Sequence, residues 1–180
     1  MRKIILLILL VTMVLAFAAC NKSNETAAGS GSAASVVSET SMEIPNPWTE
    51  NKDLKEANAN AGTSFALPDE YKTAGTAYRS LKDDILEINT SADNMAVTFR
   101  SAKGAKVNDI SGDYNTYSNV REMKDHGIPV TIKSNSEGTV SIAIWNDGNA
   151  NFSVSFANEV PETDAVEVVS SLIEANTMAY

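Results

Sequence analysis

Four short stretches alternate apolar and polar residues with a period of two, and this limits the possible folds more than any other feature. Met95, Val97 and Phe99 alternate with Ala96, Thr98 and Arg100. Ile128, Val130 and Ile132 alternate with Pro129, Thr131 and Lys133. Val140, Ile142 and Ile144 alternate with Ser141, Ala143 and Trp145, and Phe152, Val154 and Phe156 with Ser153 and Ser155. Such alternation describes strands with one face buried and one wet. Turn chemistry separates the runs: Asp147-Gly148 is a hairpin signal, and Ser136-Glu137-Gly138 and Asp125-His126-Gly127 are looser turns. Weaker strand patterns cover Thr76–Leu81, Ile85–Asn89 and Ser118–Met123.

The period changes at either end of this block. Asp53–Ala61 reads as a short helix with Asn51 as its N-cap, Leu54, Ala57 and Ala61 on one face, and Gly62 at the left-handed C-cap position. Phe65 and Leu67 then alternate up to Pro68, which predicts a short edge strand. After Pro161, the residues Ala165, Val168, Val169, Leu172 and Ile173 recur at steps of three and four and predict an amphipathic helix. The fold class expected is α+β: an antiparallel meander sheet of about six strands, with an N-terminal and a C-terminal helix packed on it.

The start of the chain follows different rules. Arg2 and Lys3 precede an uncharged run from Ile4 to Phe17 that only Thr12 interrupts, and Ala18, Ala19 and Cys20 end it with small residues. A charged start, a short apolar core and small residues at the cut are the layout of a secretory signal, and the run is short for a bilayer span. Phe17-Ala18-Ala19-Cys20 resembles the lipobox of bacterial lipoproteins, with Phe17 where that family usually has Leu. The resemblance implies a diacylglyceryl group on Cys20 and cleavage before it. At about 0.8 kcal/mol per buried methylene, one acyl chain holds marginally and two hold stably. Residues 21–43 are dominated by Ser, Ala and Gly without apolar periodicity, the composition of a flexible tether. The expected organisation is therefore a signal peptide over 1–19, a lipidated end and tether over 20–43, and one domain over 44–180.

Composition excludes several chemistries. With 14 basic and 23 acidic residues, the chain has a formal charge of −9, unlike a nucleic-acid binder, which needs clustered cations. One Cys and one His exclude an intramolecular disulfide, a cysteine zinc cluster and a multi-histidine metal centre. Lipidation would also use the only thiol. His126 lies in a turn, no Gly-x-Ser-x-Gly elbow is present, and Asp69-Glu70 and Asp83-Asp84 are sequence neighbours that a strand would point to opposite faces. No cofactor is implied.

One loop has richer chemistry. Asp109, Ser111, Asp113 and Asn115 place an oxygen-bearing side chain at every second residue around Gly112. Two readings stay open: hard oxygen ligands for a cation such as calcium, without EF-hand spacing, or a turn in which Asp and Ser bond their own backbone. Among the aromatics, Trp145 falls opposite Val140, Ile142 and Ile144, as an exposed platform or a cross-strand packing partner. Trp48 reads as a core plug, and Tyr114 and Tyr117 as a surface patch.

Asn46-Pro47-Trp48-Thr49, Lys103-Gly104, Asp109-Ile110-Ser111-Gly112-Asp113-Tyr114-Asn115-Thr116-Tyr117 and Ile144-Trp145-Asn146-Asp147-Gly148 occur in order before the final helix. Together they resemble a domain of unknown function found in small lipoproteins of Gram-positive bacteria and in extracytoplasmic parts of anti-sigma-factor-like proteins. That resemblance spans roughly residues 45–175. It implies a location and a fold, and it brings no catalytic residues. The function expected is a lipid-anchored binding or sensing module, not an enzyme, on the outer face of the bacterial cytoplasmic membrane. Its partners would be the membrane, through the lipid on Cys20, and an envelope protein or polymer. The alternatives are a carboxylate-dependent hydrolase of cell-wall polymers and an accessory subunit of a membrane protein.

Overall fold

The computed structural model describes residues 46–92 and 95–177, all within one unit, Ile44–Tyr180. The signal, Cys20 and tether expectations lie outside the described residues. Among the described residues, no helix is long and apolar enough to cross a membrane.

The chain forms β1 (Thr49–Asn51), α1 (Leu54–Ala61), a 3-10 turn (Asp69–Tyr71), β2 (Ala77–Ser80), β3 (Ile85–Ala92), β4 (Met95–Lys103), β5 (Asn119–Asp125), β6 (Ile128–Ser134), β7 (Thr139–Asn146), β8 (Ala150–Pro161) and α2 (Glu162–Thr177). The α+β class is as expected, but the sheet has eight strands rather than about six, in the order β1-β2-β3-β4-β8-β7-β6-β5. Nor is it one meander. Two four-strand meanders, β1 to β4 and β5 to β8, are joined edge to edge by antiparallel pairing of β4 with β8. The connection from β4 to β5 must therefore pass β8, β7 and β6, which is why it is long.

One face of the sheet carries the core. Leu86, Ile88, Val97, Phe99, Val130, Ile132, Ala143, Trp145, Phe152, Val154 and Phe156 are all buried there with the apolar stripes of both helices. In α2 the buried residues are Ala165, Val168, Val169, Leu172 and Ile173, as the periodicity predicts, together with Asn176. In α1, Ala57 and Ala61 are buried and Leu54 is half-buried. The α1 N-cap is Asp53, whose carboxylate accepts the Glu56 amide at 2.8 Å, and not Asn51. Asn51 is instead paired with Tyr78 in the sheet, and its amide donates to Ser80 Oγ. Gly62 closes the helix at φ 68°.

Two further expectations change. Phe65 and Leu67 do not form a strand. Their backbone is held by side chains: Asn58 Oδ1 accepts the Phe65 amide at 2.9 Å, and Asn176 Oδ1 the Ala66 amide at 2.8 Å. Asn176 also donates to Ala66 O, so α2 grips this segment without a ladder. The second change concerns β7. A register shift between Val140 and Ile142 turns Val140 to the same face as Trp145, while Ile142 and Ile144 point to the other face. Trp145 is buried and stacked on its cross-strand partner Phe152, with ring centroids 5.3 Å apart, so it is a packing residue and not an exposed platform.

Candidate functional site

The opposite face of the sheet is mixed, polar along β2, β3 and β4 and apolar where β7 buries Ile142 and Ile144, and the Gly104–Ser118 connection crosses it. Antiparallel register puts Arg79 of β2, Glu87 of β3 and Arg100 of β4 side by side. Glu87 is 1% exposed, yet every bond it needs is present. Oε1 accepts from Arg79 Nε at 2.9 Å, from Arg79 Nη2, and from Asn89 Nδ2 at 2.8 Å. Oε2 accepts from Arg100 Nε at 2.9 Å and Nη2 at 2.7 Å. Burial works to raise the Glu87 pKa, but the bonds from Asn89, Arg79 and Arg100 outweigh it, and the carboxyl is held below its usual range. Both guanidinium carbons lie 5.4 Å from the centroid of the Trp48 ring. Trp48 is therefore a half-buried cation–π partner on the polar face rather than a core plug.

The crossing loop is anchored at several points. Asn151 Oδ1 accepts the Asn108 amide at 2.8 Å, Arg100 Nη1 donates to Ile110 O at 3.1 Å, and Lys133 Nζ meets Asp109 Oδ2 at 2.5 Å. Ile110 is buried between these anchors, as are Ile142 and Ile144 on the same face. Gly112 has φ +68°, and a Cβ there would stand 2.0 Å from Arg100 Nη1. Only glycine lets the loop lie this close to the guanidinium. Ser153, opposite Arg100 in the register, has a buried hydroxyl with no hydrogen-bond partner, alone in this among the described residues.

The four oxygen-bearing loop residues bond chiefly one another along the loop rather than a common centre. Asp109 Oδ1 accepts from the Ser111 amide at 2.9 Å and its hydroxyl at 2.6 Å, and Oδ2 faces Lys133. Asp113 Oδ1 accepts the Asn115 amide at 2.7 Å, and Oδ2 accepts from Tyr117 OH at 2.8 Å. These are self-bonding turns of the kind Asp and Ser favour. Among the described residues, no three His, Cys, Asp or Glu side chains converge as a metal-ligand group. Burial raises the Asp109 pKa, but the bonds to Lys133 and Ser111 lower it overall; the Asn115 amide above all lowers that of Asp113. Burial and the Asp113 carboxylate push the Tyr117 phenol up to about 12.

Between the loop and the strands lies a groove of about 480 Å³. Arg79, Glu87, Asn89, Thr98, Arg100 and Ser155 line its sheet side, and the loop from Ser111 to Asn115 its rim. Tyr114 on that rim is 97% exposed. The volume falls within the usual range of small-ligand sites, about 300–1,000 Å³. A second cavity, of about 270 Å³, involves Phe65, Lys103, Phe152 and Asn176. The amide of Asn176 is already engaged by Ala66, and Lys103 Nζ sits by Gly62 at the C-terminal end of α1, where a cation stabilises the helix dipole.

The remaining candidates lie elsewhere. His126 is bound on both sides, Nδ1 to Asp125 Oδ1 at 2.7 Å and Nε2 to Glu174 Oε1 at 3.1 Å, and Ser170 Oγ donates to Asp125 Oδ2 at 2.5 Å. The hydroxyl meets the carboxylate and not the imidazole, so His126 is not placed to activate Ser170. Asp69 bonds Lys72 on the surface, and Asp83 and Asp84 are exposed in the turn before β3. The Arg79–Glu87–Arg100 clamp escapes a reading of the sequence. A lone Glu between Leu86 and Ile88 is its one visible sign.

Compared with family models, with curated proteins and with solved structures, the chain matches none.

Proposed function

We propose that this chain is a binding or sensing module, held by lipid on Cys20 at the outer face of a bacterial cytoplasmic membrane, and that the groove beneath the Gly112 loop is its ligand site. The observation that carries the site is the clamp around Glu87. Burying the Glu87 carboxylate between two partly exposed guanidiniums is costly and adds little net stability compared with apolar packing. What the clamp provides is two fixed guanidiniums lining an open groove, with Nη1 of Arg79, unpartnered among the described residues, free to donate. The anchor rests on the lipobox resemblance of Phe17 to Cys20.

The same geometry favours binding over hydrolysis of wall polymers. A glycosidase pair needs one carboxyl protonated to serve as acid. Glu87 and Asp113, the two carboxylates at the groove, both have lowered pKa values, and Glu87 has its oxygens filled by five donors.

Sedimentation of the full-length protein, in detergent, with insoluble cell-wall material extracted free of membrane lipid tests the site, because the anchor on Cys20 then contributes nothing to retention. Retention should depend on Tyr114, with Tyr114→Ala released at concentrations that hold the wild type. Equal retention of both, or none of either, removes the reading. Mass spectrometry of the natural amino terminus tests the anchor. A diacylglyceryl-modified Cys20 is expected, and an unmodified or uncut terminus contradicts it.

A further inference from the structure

The chemistry of the groove narrows its ligand class, on the reading that the groove is the site. Its charges balance: Arg79 and Arg100 are matched by Glu87 and Asp113, all four lining it. An anionic ligand would have to displace one of these carboxylates or approach a domain whose residues 44–180 hold 11 basic and 20 acidic side chains. A cationic ligand would meet the guanidinium of Arg79, whose Nη1 has no partner among the described residues. An apolar ligand would leave that donor and the hydroxyl of Ser155 without partners.

We propose that the groove binds a neutral, polyhydroxylated ligand, a short stretch of uncharged glycan. A sugar ring offers hydroxyls that both donate and accept, and an apolar C–H face. The groove offers the counterpart of each. Arg79 Nη1 is an open donor, Ser155 presents a hydroxyl that can donate or accept, and its register neighbour Thr98, whose hydroxyl already donates to Asn89 Oδ1 at 2.8 Å, presents an acceptor. Tyr114 stands at the rim, nearly fully exposed, an aromatic face on which a sugar ring can lie. The open donor is held in place before the ligand arrives, since Arg79 is fixed by Glu87 and by the Trp48 ring. That removes the entropy cost of ordering it on binding.

Calorimetric titration of the full-length protein separates the possibilities. The probes are neutral tetrasaccharides of glucose and of N-acetylglucosamine, and, as the charged comparison, poly(glycerol phosphate). At least one neutral tetrasaccharide should bind, Tyr114→Ala should weaken it about fivefold or more, and the affinity should be nearly unchanged by added salt. Gly112→Ala, which drives a methyl against Arg100, should weaken the same probe. Binding of the phosphate polymer with no response to either tetrasaccharide overturns the glycan proposal and leaves the groove as a binding site. Tetrasaccharide binding that neither variant alters also overturns it. If no probe binds while Tyr114-dependent envelope sedimentation persists, the ligand class is wrong and the binding reading survives; loss of that sedimentation would end both.

Discussion

The two faces of one sheet make an instructive pair, because the same strands build both with opposite chemistry. On the helix-covered face, alternate positions along β3, β4, β7 and β8 are apolar, and burial at about 25 cal/mol per Å² supplies the stability. On the other face, the intervening positions of β3, β4 and β8 hold Glu87, Arg100, Thr98 and Ser155, joined by Arg79 of β2, β7 places Ile142 and Ile144 there, and a loop rather than a helix covers part of it. The first face tolerates any well-packed apolar set of the right volume. The second depends on the identity of single groups, since Glu87 without its arginines, or Arg100 under anything but Gly112, has no good alternative. A sheet face that accepts such dependence is a place to look for function, and the apolar face is not.

That contrast can be broken by substitution. Trp145→Ala should cost the most, about 3–5 kcal/mol, through the cavity left beside Phe152. Urea unfolding would show it as a lower midpoint at unchanged slope. A loss under about 1 kcal/mol would mean that the apolar face is not where stability resides. Glu87→Gln should cost about 2–3 kcal/mol, since two guanidiniums lose their shared anion, with screening at the partly exposed Arg79 reducing the loss. Unlike Trp145→Ala, it should also disorder the groove, which the chemical shift of the Trp48 indole would report.

Gly112→Ala should come next. The left-handed φ alone costs about 1 kcal/mol, and the clash with Arg100 adds to it. Its effect on the groove should exceed its effect on the melting temperature; the reverse would show that the loop is structural only.

The smallest effect is a dependence on pH. Glu159 of β8 accepts the Asn135 and Ser136 amides and bonds the hydroxyls of Thr139 and Ser141. Those bonds, led by the Asn135 amide, hold its carboxyl at about 2, below the ordinary 4.5. A depressed carboxyl gives its stabilisation above the unfolded value and loses it as the pH falls through the folded one. The turn before β7 should therefore loosen as the pH falls from about 4.5 towards 2, followed by exchange of the Asn135 and Ser136 amides. Glu159→Gln should remove that dependence. Glu87, also depressed, adds acid sensitivity to the polar face in the same direction, whereas the core on the other face is built from apolar side chains. Equal acid loosening on both faces would blur the distinction.

Much of this is legible in the chain, and the rest is hidden for physical reasons. The alternating runs locate β4, β6, β7 and β8, and the three- and four-residue steps after Pro161 locate α2, because burial on one side leaves a periodic trace. The bulge between Val140 and Ile142 leaves none, since the apolar alternation reads unbroken across it. The joining of β4 to β8 is equally silent, although the length of the Gly104–Ser118 connection hints that β4 and β5 are not neighbours. Gly112 and its flanking Asp and Ser residues stand out as a special loop. What the loop covers does not, because Arg79, Glu87 and Arg100 meet only through strand register.

The most direct test of the central claim is hydrogen exchange on the full-length protein, with and without solubilised envelope polysaccharide. Slowed exchange confined to residues 104–118 and the strands beneath, with α2 unchanged, is the result expected of a ligand site on the polar face. Protection that falls on α2 or the Phe65 segment instead, or on no segment at all, would contradict it.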